Sequence, residues 1–188
     1  MTSHFIRRAL PIVAIAIPAT VQAHPGHGAL DFVAGAAHPL LGADHLLAML
    51  AVGLLAAQLG GRSRWAVPAA FVGAVAVGAL AGAAGFALPA VEHGVALSVL
   101  LLSALIAFAT RLSLPLAATV ATVCGAFHGV AHGVEMPAGS ALFGAGFVFA
   151  SIALHAAGML IGTACLSASR PAWIRCAGAV MALAFLAS

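Results

Sequence analysis

The sequence predicts an all-α integral membrane protein, a bundle of six transmembrane helices after a cleaved signal peptide. Three observations lead there. The chain of 188 residues is 64% hydrophobic and 6% charged, with a mean hydropathy of +1.18, a composition few soluble domains tolerate. Apolar runs of bilayer-crossing length recur from residue 29 onwards. The charges are sorted along the chain, with arginines between alternate runs and most carboxylates near the opposite ends. The same composition removes other classes. All seven basic side chains are arginines, scattered and without an aromatic patch, so the positive balance is no nucleic-acid footprint. Cys124, Cys165 and Cys176 are odd in number and unrelated in spacing, so no disulfide framework is expected.

Residues 1–23 carry the three parts of a secretory signal: Arg7 and Arg8, the short apolar core from Leu10 to Ala19, and the small-residue site Val21-Gln22-Ala23. Pro11 and Pro18 interrupt that core, which favours cleavage over an uncleaved first membrane helix. Residues 24–188 then form a single six-span domain opening on His24-Pro25-Gly26-His27. Its free α-amine, His24 and His27 could hold a borderline metal ion, or the segment is a solvated lead-in.

Six apolar spans follow, at about 29–59, 66–88, 91–109, 114–134, 138–163 and 172–188. The glycine–arginine run 60–64, Leu88-Pro89, Thr110-Arg111, Met136-Pro137 and residues 167–171 separate them. Arg7 and Arg8 hold the signal's start in the cytoplasm, so the mature N-terminus lies outside, in the periplasm of a bacterial inner membrane. Six crossings then place Arg62, Arg64, Arg111, Arg170 and Arg175 in or beside cytoplasmic loops. Asp31, Glu92 and Glu135 fall near outer ends, and only Asp44 lies within a span. Gly78-x-x-x-Gly82, Gly125-x-x-x-Gly129-x-x-x-Gly133 and Gly158-x-x-x-Gly162 let helix backbones approach closely. No repeat of fixed period is evident.

Within this greasy chain the histidines stand out. His38 and His45 lie on the first span, His93 opens the third, His128 and His132 lie on the fourth, and His155 on the fifth. At helical spacing Asp31, Gly35, His38, Gly42, His45 and Met49 share one face. His128 and His132, four residues apart, present two imidazoles to one point, the geometry a metal needs. Asp44 lies on a neighbouring face, suited to orienting His45 from behind. A histidine alone can be mere polar glue between helices. Six in spans, with carboxylates nearby, mark a pathway or a site, because ionisable groups at that depth are costly. Cys124 and Met49 read as packing residues. Pro39 withdraws a hydrogen bond from the Gly35 carbonyl and turns His38 from helical dihedrals, so a kink is expected at His38–Pro39.

Counting from the outer ends, Asp31, Glu92, His93, His132 and Glu135 form an outer tier. His38 and His128 come next, and Asp44, His45 and His155 lie deeper. This stagger suits an ion passing between stations. Imidazole with carboxylate and few thiols favours nickel, cobalt, zinc or iron.

The stretch from His38 to Gly53 (H-P-L-L-G-A-D-H-L-L-A-M-L-A-V-G) resembles the first signature of the HupE/UreJ family. Phe127 to Glu135 (F-H-G-V-A-H-G-V-E) resembles its second, and Leu154 to Gly158 a lesser one. The resemblance covers essentially the whole mature chain. It implies a nickel, in some members cobalt, permease or an accessory protein serving hydrogenase and urease, with maturation proteins of those enzymes as partners. Two other classes fit the residues: an intramembrane zinc hydrolase with Asp44 or Glu135 as base, and a metal holder that moves nothing. No sequence feature demands catalysis, so no enzyme activity and no organic cofactor are expected. There is no G-x-x-x-x-G-K-[ST] motif for direct drive by ATP.

Overall fold

A computed structural model describes residues 32–135 and 141–187. The expected signal peptide, His24, His27 and Asp31 lie outside the described residues. Those residues form seven helices and no strand: α1 (Phe32–Leu41), α2 (Ala43–Leu59), α3 (Ser63–Ala83), α4 (Val91–Ala107), α5 (Leu114–Glu135), α6 (Ala141–Ser167) and α7 (Pro171–Leu186).

The first expected span is two helices. α1 and α2 are bent by 86° at Gly42, whose backbone is extended (φ −96°, ψ 122°). The break therefore falls after the expected His38–Pro39 kink, and Pro39 is buried within α1. Losing one bond to the Gly35 carbonyl does not end α1. Gly42 does, and it also leaves room, because a Cβ there would stand 2.9 Å from both Asp44 Oδ1 and His45 Nδ1. α3, α5 and α6 are long and apolar enough to cross a membrane, and the bent pair can count as a fourth crossing. α4 and α7, with 17 and 16 residues, are shorter apolar helices than the spans expected there. At about 1.5 Å per residue they reach some 25 Å.

Glycines set the closest seams. Gly78, Gly82, Gly125, Gly129 and Gly133 join α3 to α5, and a Cβ on Gly78 would sit 2.9 Å from the Ala126 carbonyl oxygen. Gly53, Gly158 and Gly162 join α2 to α6 in the same way, and Gly35 and Gly146 seat α1 across the start of α6. With no hydrophobic drive between helices in lipid, such backbone proximity supplies the packing.

The pairings fix directions. Phe71, Val75 and Ala79 meet Gly125, Gly129 and Gly133 in that order, so α3 and α5 run parallel. Leu50 meets Gly158, and Leu54 and Ala57 meet Gly162, so α2 and α6 also run parallel. Arg175, early in α7, donates from Nε to the carbonyl of Ala107 at the end of α4, 3.0 Å away, so these two are antiparallel. Hence Arg62, Arg64, Arg111, Arg170 and Arg175 all gather at one end of the bundle.

These pairings contain a relation the sequence did not display as a repeat. Exchanging α2-α3-α4 for α5-α6-α7 carries the α2·α6 seam onto α5·α3 and returns α4·α7 to itself. The two triplets start at opposite ends, the pattern of an inverted repeat. Gly42-Ala43-x-His45 at the start of α2 and Gly125-Ala126-x-His128 within α5 are written alike. The exchange is partial, since α2 also packs against α3 and α4 while α5, among the described residues, forms no comparable seam with α6 or α7.

Candidate metal centre

Four imidazoles meet at the end of the bundle opposite the arginines. The sharp turn at Gly42 puts Asp44 and His45 in the first turn of α2, beside His38 from α1. α5 delivers His128 and His132 from successive turns of one face. Ring centroids of His45 lie 4.2 Å from His132, 5.0 Å from His128 and 6.0 Å from His38, and those of His38 and His132 are 4.9 Å apart. Phe147 of α6 walls the cluster, 4.4 Å from His132. Phe71 of α3 closes it beneath His128, at 5.6 Å. His128 is fully buried and His132 is 4% exposed.

Hydrogen bonds behind the rings decide which nitrogens are free. Asp44 Oδ1 accepts from His45 Nδ1–H at 2.6 Å and from the His45 backbone N–H at 2.8 Å. The lone pair of His45 then sits on Nε2, which is buried without a partner. This is the carboxylate–histidine arrangement that raises the basicity of a ligating imidazole. Ser98 of α4 donates its hydroxyl proton to the Val95 carbonyl at 2.7 Å. Its oxygen therefore accepts from His128 Nε2–H at 2.8 Å. The lone pair of His128 is left on Nδ1, also buried without a partner, and His132 Nε2 stands likewise. Unpaired polar nitrogens in an apolar interior are costly, and three of them lie at this one place.

Among the described residues no three histidine, cysteine or carboxylate donors already converge at metal-binding spacing. The rings meet tilted or edge-on, with His45 at 48° to His132 and 88° to His128. An ion would draw them round by side-chain rotation.

The other expected ligands are not in this cluster. His155 donates from Nδ1 to the Ser151 carbonyl one turn back, leaving Nε2 buried and unpartnered. Phe71 stands between it and the cluster, with its ring 5.2 Å from His155. His155 instead lines a largely apolar cavity of about 490 Å³ beside Arg64, Trp65 and Met159. Glu92 and His93 are exposed at the start of α4 and take no part in it. Glu135 ends α5, with its side chain outside the description. The expected stagger is thus corrected for His45, whose ring lies 4.2 Å from that of His132. His45 is not deeper than His132; the elbow at Gly42 lifts it to the same level. Cys124 packs in the core, as does Met49. Sequence reasoning missed Ser98, Phe71 and Phe147, since a serine or phenylalanine in an apolar helix carries no pattern of its own.

The fold and cluster define an all-helical protein, over the described residues, with apolar helices of membrane-crossing length and a half-buried cluster of four histidines. The chain belongs to the HupE / UreJ protein family, which matches residues 12–187. A relative in Rhizobium leguminosarum bv. viciae, named Protein HupE, is 44% identical over 177 residues, covering 92% of each chain. No solved structure matches this chain.

Proposed function

We propose that this protein is a permease for a divalent transition metal, nickel before cobalt, zinc or iron. It takes the ion from periplasm to cytoplasm across the bacterial inner membrane without ATP hydrolysis, for hydrogenase or urease maturation. The observation that carries this reading is the cluster of His38, His45, His128 and His132, the last two buried, with Asp44 behind it. Imidazole donors with one carboxylate are the chemistry of that metal group. The gathering of all five described arginines at one end supports a cytoplasmic face there and the cluster on the periplasmic side. Six crossings with a periplasmic mature N-terminus accord with it, and inverted triplets are a common transporter plan. Asp31, Glu92, His93, Glu135, His24 and His27 would gather the cation at the mouth, since carboxylates there raise its local concentration. Membrane potential would suffice as drive, with ~100 mV worth ~4.6 kcal/mol for a divalent ion.

Uptake of radioactive nickel by proteoliposomes tests the proposal. Accumulation that follows an imposed inside-negative potential is expected, and tight binding without accumulation would leave only a metal holder. Protons compete with metal for imidazole lone pairs, so uptake at clamped potential should fall as external pH drops through ~6.5. A rise instead would replace downhill movement with proton coupling.

A further inference from the structure

α4 reaches the candidate metal centre through one side chain, Ser98, which bonds one of the four imidazoles. Ser98 is 4% exposed and His128 fully buried, so no water competes for their hydrogen bond. The serine proton is committed to the Val95 carbonyl at 2.7 Å. The same oxygen can then only accept, and His128 must offer Nε2–H, 2.8 Å away. That choice leaves Nδ1 as the ring's only lone pair, facing the interior unpartnered. Without the hydroxyl, a neutral His128 is free to protonate Nδ1 instead, which would put a proton where a metal must sit.

We propose that Ser98 is a positioning residue for the transported metal, fixing the tautomer in which His128 presents Nδ1 to the cluster. The inference rests on the reading of His128 as a ligand. A partner behind a ligating histidine that fixes its tautomer and ring plane is worth roughly ten- to a hundredfold in metal affinity. The cavity beside Ser98, about 530 Å³ and lined also by Gly94, Leu97 and Phe127, can take an added methyl group. Threonine and valine, which share one shape, can therefore be compared at this position.

The test uses the full chain in lipid nanodiscs, titrated with cobalt(II) by its visible absorption and with nickel by competition. Ser98→Thr should bind near the parent affinity with the parent cobalt spectrum. Ser98→Val should bind roughly ten- to a hundredfold more weakly with an altered spectrum, and Ser98→Ala does the same should valine prevent folding. Nitrogen NMR of metal-free protein labelled at histidine, with the His128 signal assigned by its loss in His128→Ala, should show Nε2–H in the parent and Ser98→Thr. Ser98→Val or Ser98→Ala with unchanged affinity and spectrum, or an Nδ1–H His128 in the parent, would overturn the proposal. His128→Ala separates the two levels. If it too binds like the parent, the cluster reading fails. If only it loses the metal, Ser98 alone is excluded.

Discussion

On α2, His45 takes its orienting group from the residue beside it. On α5, His128 reaches across to α4 for Ser98. The helices are equivalents under the exchange of triplets, and Gly42-Ala43-x-His45 and Gly125-Ala126-x-His128 are written alike. Yet Asp44 occupies the place where α5 has Phe127, whose ring instead packs beside Gly94 of α4. The α2 half of the site is therefore a local unit that moves with its helix. The α5 half depends on how α4 lies against α5. A displacement of α4 would unset His128 and leave the Asp44–His45 pair intact.

The sharpest way to break the comparison is to remove each histidine. His45→Ala and His128→Ala should each reduce nickel uptake to background while the protein remains in the membrane, since each removes a lone pair that nothing nearby replaces. If one variant kept full uptake at limiting nickel, the two halves would not be partners in one site.

Asp44→Asn is the next test. The amide can still accept from His45 Nδ1–H, but without charge, so nickel affinity should fall by roughly ten- to a hundredfold with the protein still folded. Because Asp44 acts within its own helix turn, its effect and that of Ser98 should add in the double variant. Strong non-additivity in a double-mutant cycle would show that the two halves are energetically one.

The seams come third. Gly129→Ala and Gly158→Ala each drive a methyl into backbone of the facing helix, at Val75 and at Leu50. Overpacking of that kind costs about 1–3 kcal/mol. If the triplets are equivalent, both variants should lower the unfolding temperature in detergent by similar amounts, and one large loss beside one neutral result would break the symmetry.

The members of the histidine cluster were legible from residue type and spacing: His128 and His132 share a face by helical period alone, and the glycine rows foretold the close seams. The elbow was not placed correctly, because Pro39 is the louder breaker in sequence while Gly42 is chosen by the space Asp44 and His45 need. Depth counting along a straight helix then put His45 too far down. The partners of the imidazoles were hidden for a different reason. Ser98 becomes meaningful only when a second helix sets His128 against it, and Phe71 only when His155 and His128 flank it. The spans were overestimated at α4 and α7, since α4 ends at Ala107 before the turn at Phe108–Ala109 and α7 ends at Leu186 before the turn at Ala187.

The smallest expected effect tests the pair that maps onto itself. Arg175 donates from Nε to the Ala107 carbonyl at 3.0 Å, one of the last carbonyls of α4 and so without a helical partner. A cation there also meets the negative end of the helix dipole. No arginine occupies the equivalent place on α4, which opens with Val91, Glu92 and His93. The tie therefore belongs to the arginine end alone. Arg175 is exposed, so water can take over the carbonyl when the side chain is cut away, and the bond's net worth is about 0.5–1.5 kcal/mol. Arg175→Ala should lower the unfolding temperature slightly and leave nickel affinity at the distant cluster unchanged. Arg175→Gln should recover part of the loss, since its amide keeps a donor without the charge. A change in nickel affinity in either variant would mean that α4 transmits strain from its arginine end to Ser98, and the local and cross-helix halves of the site would then differ in what controls them as well as in how they are built.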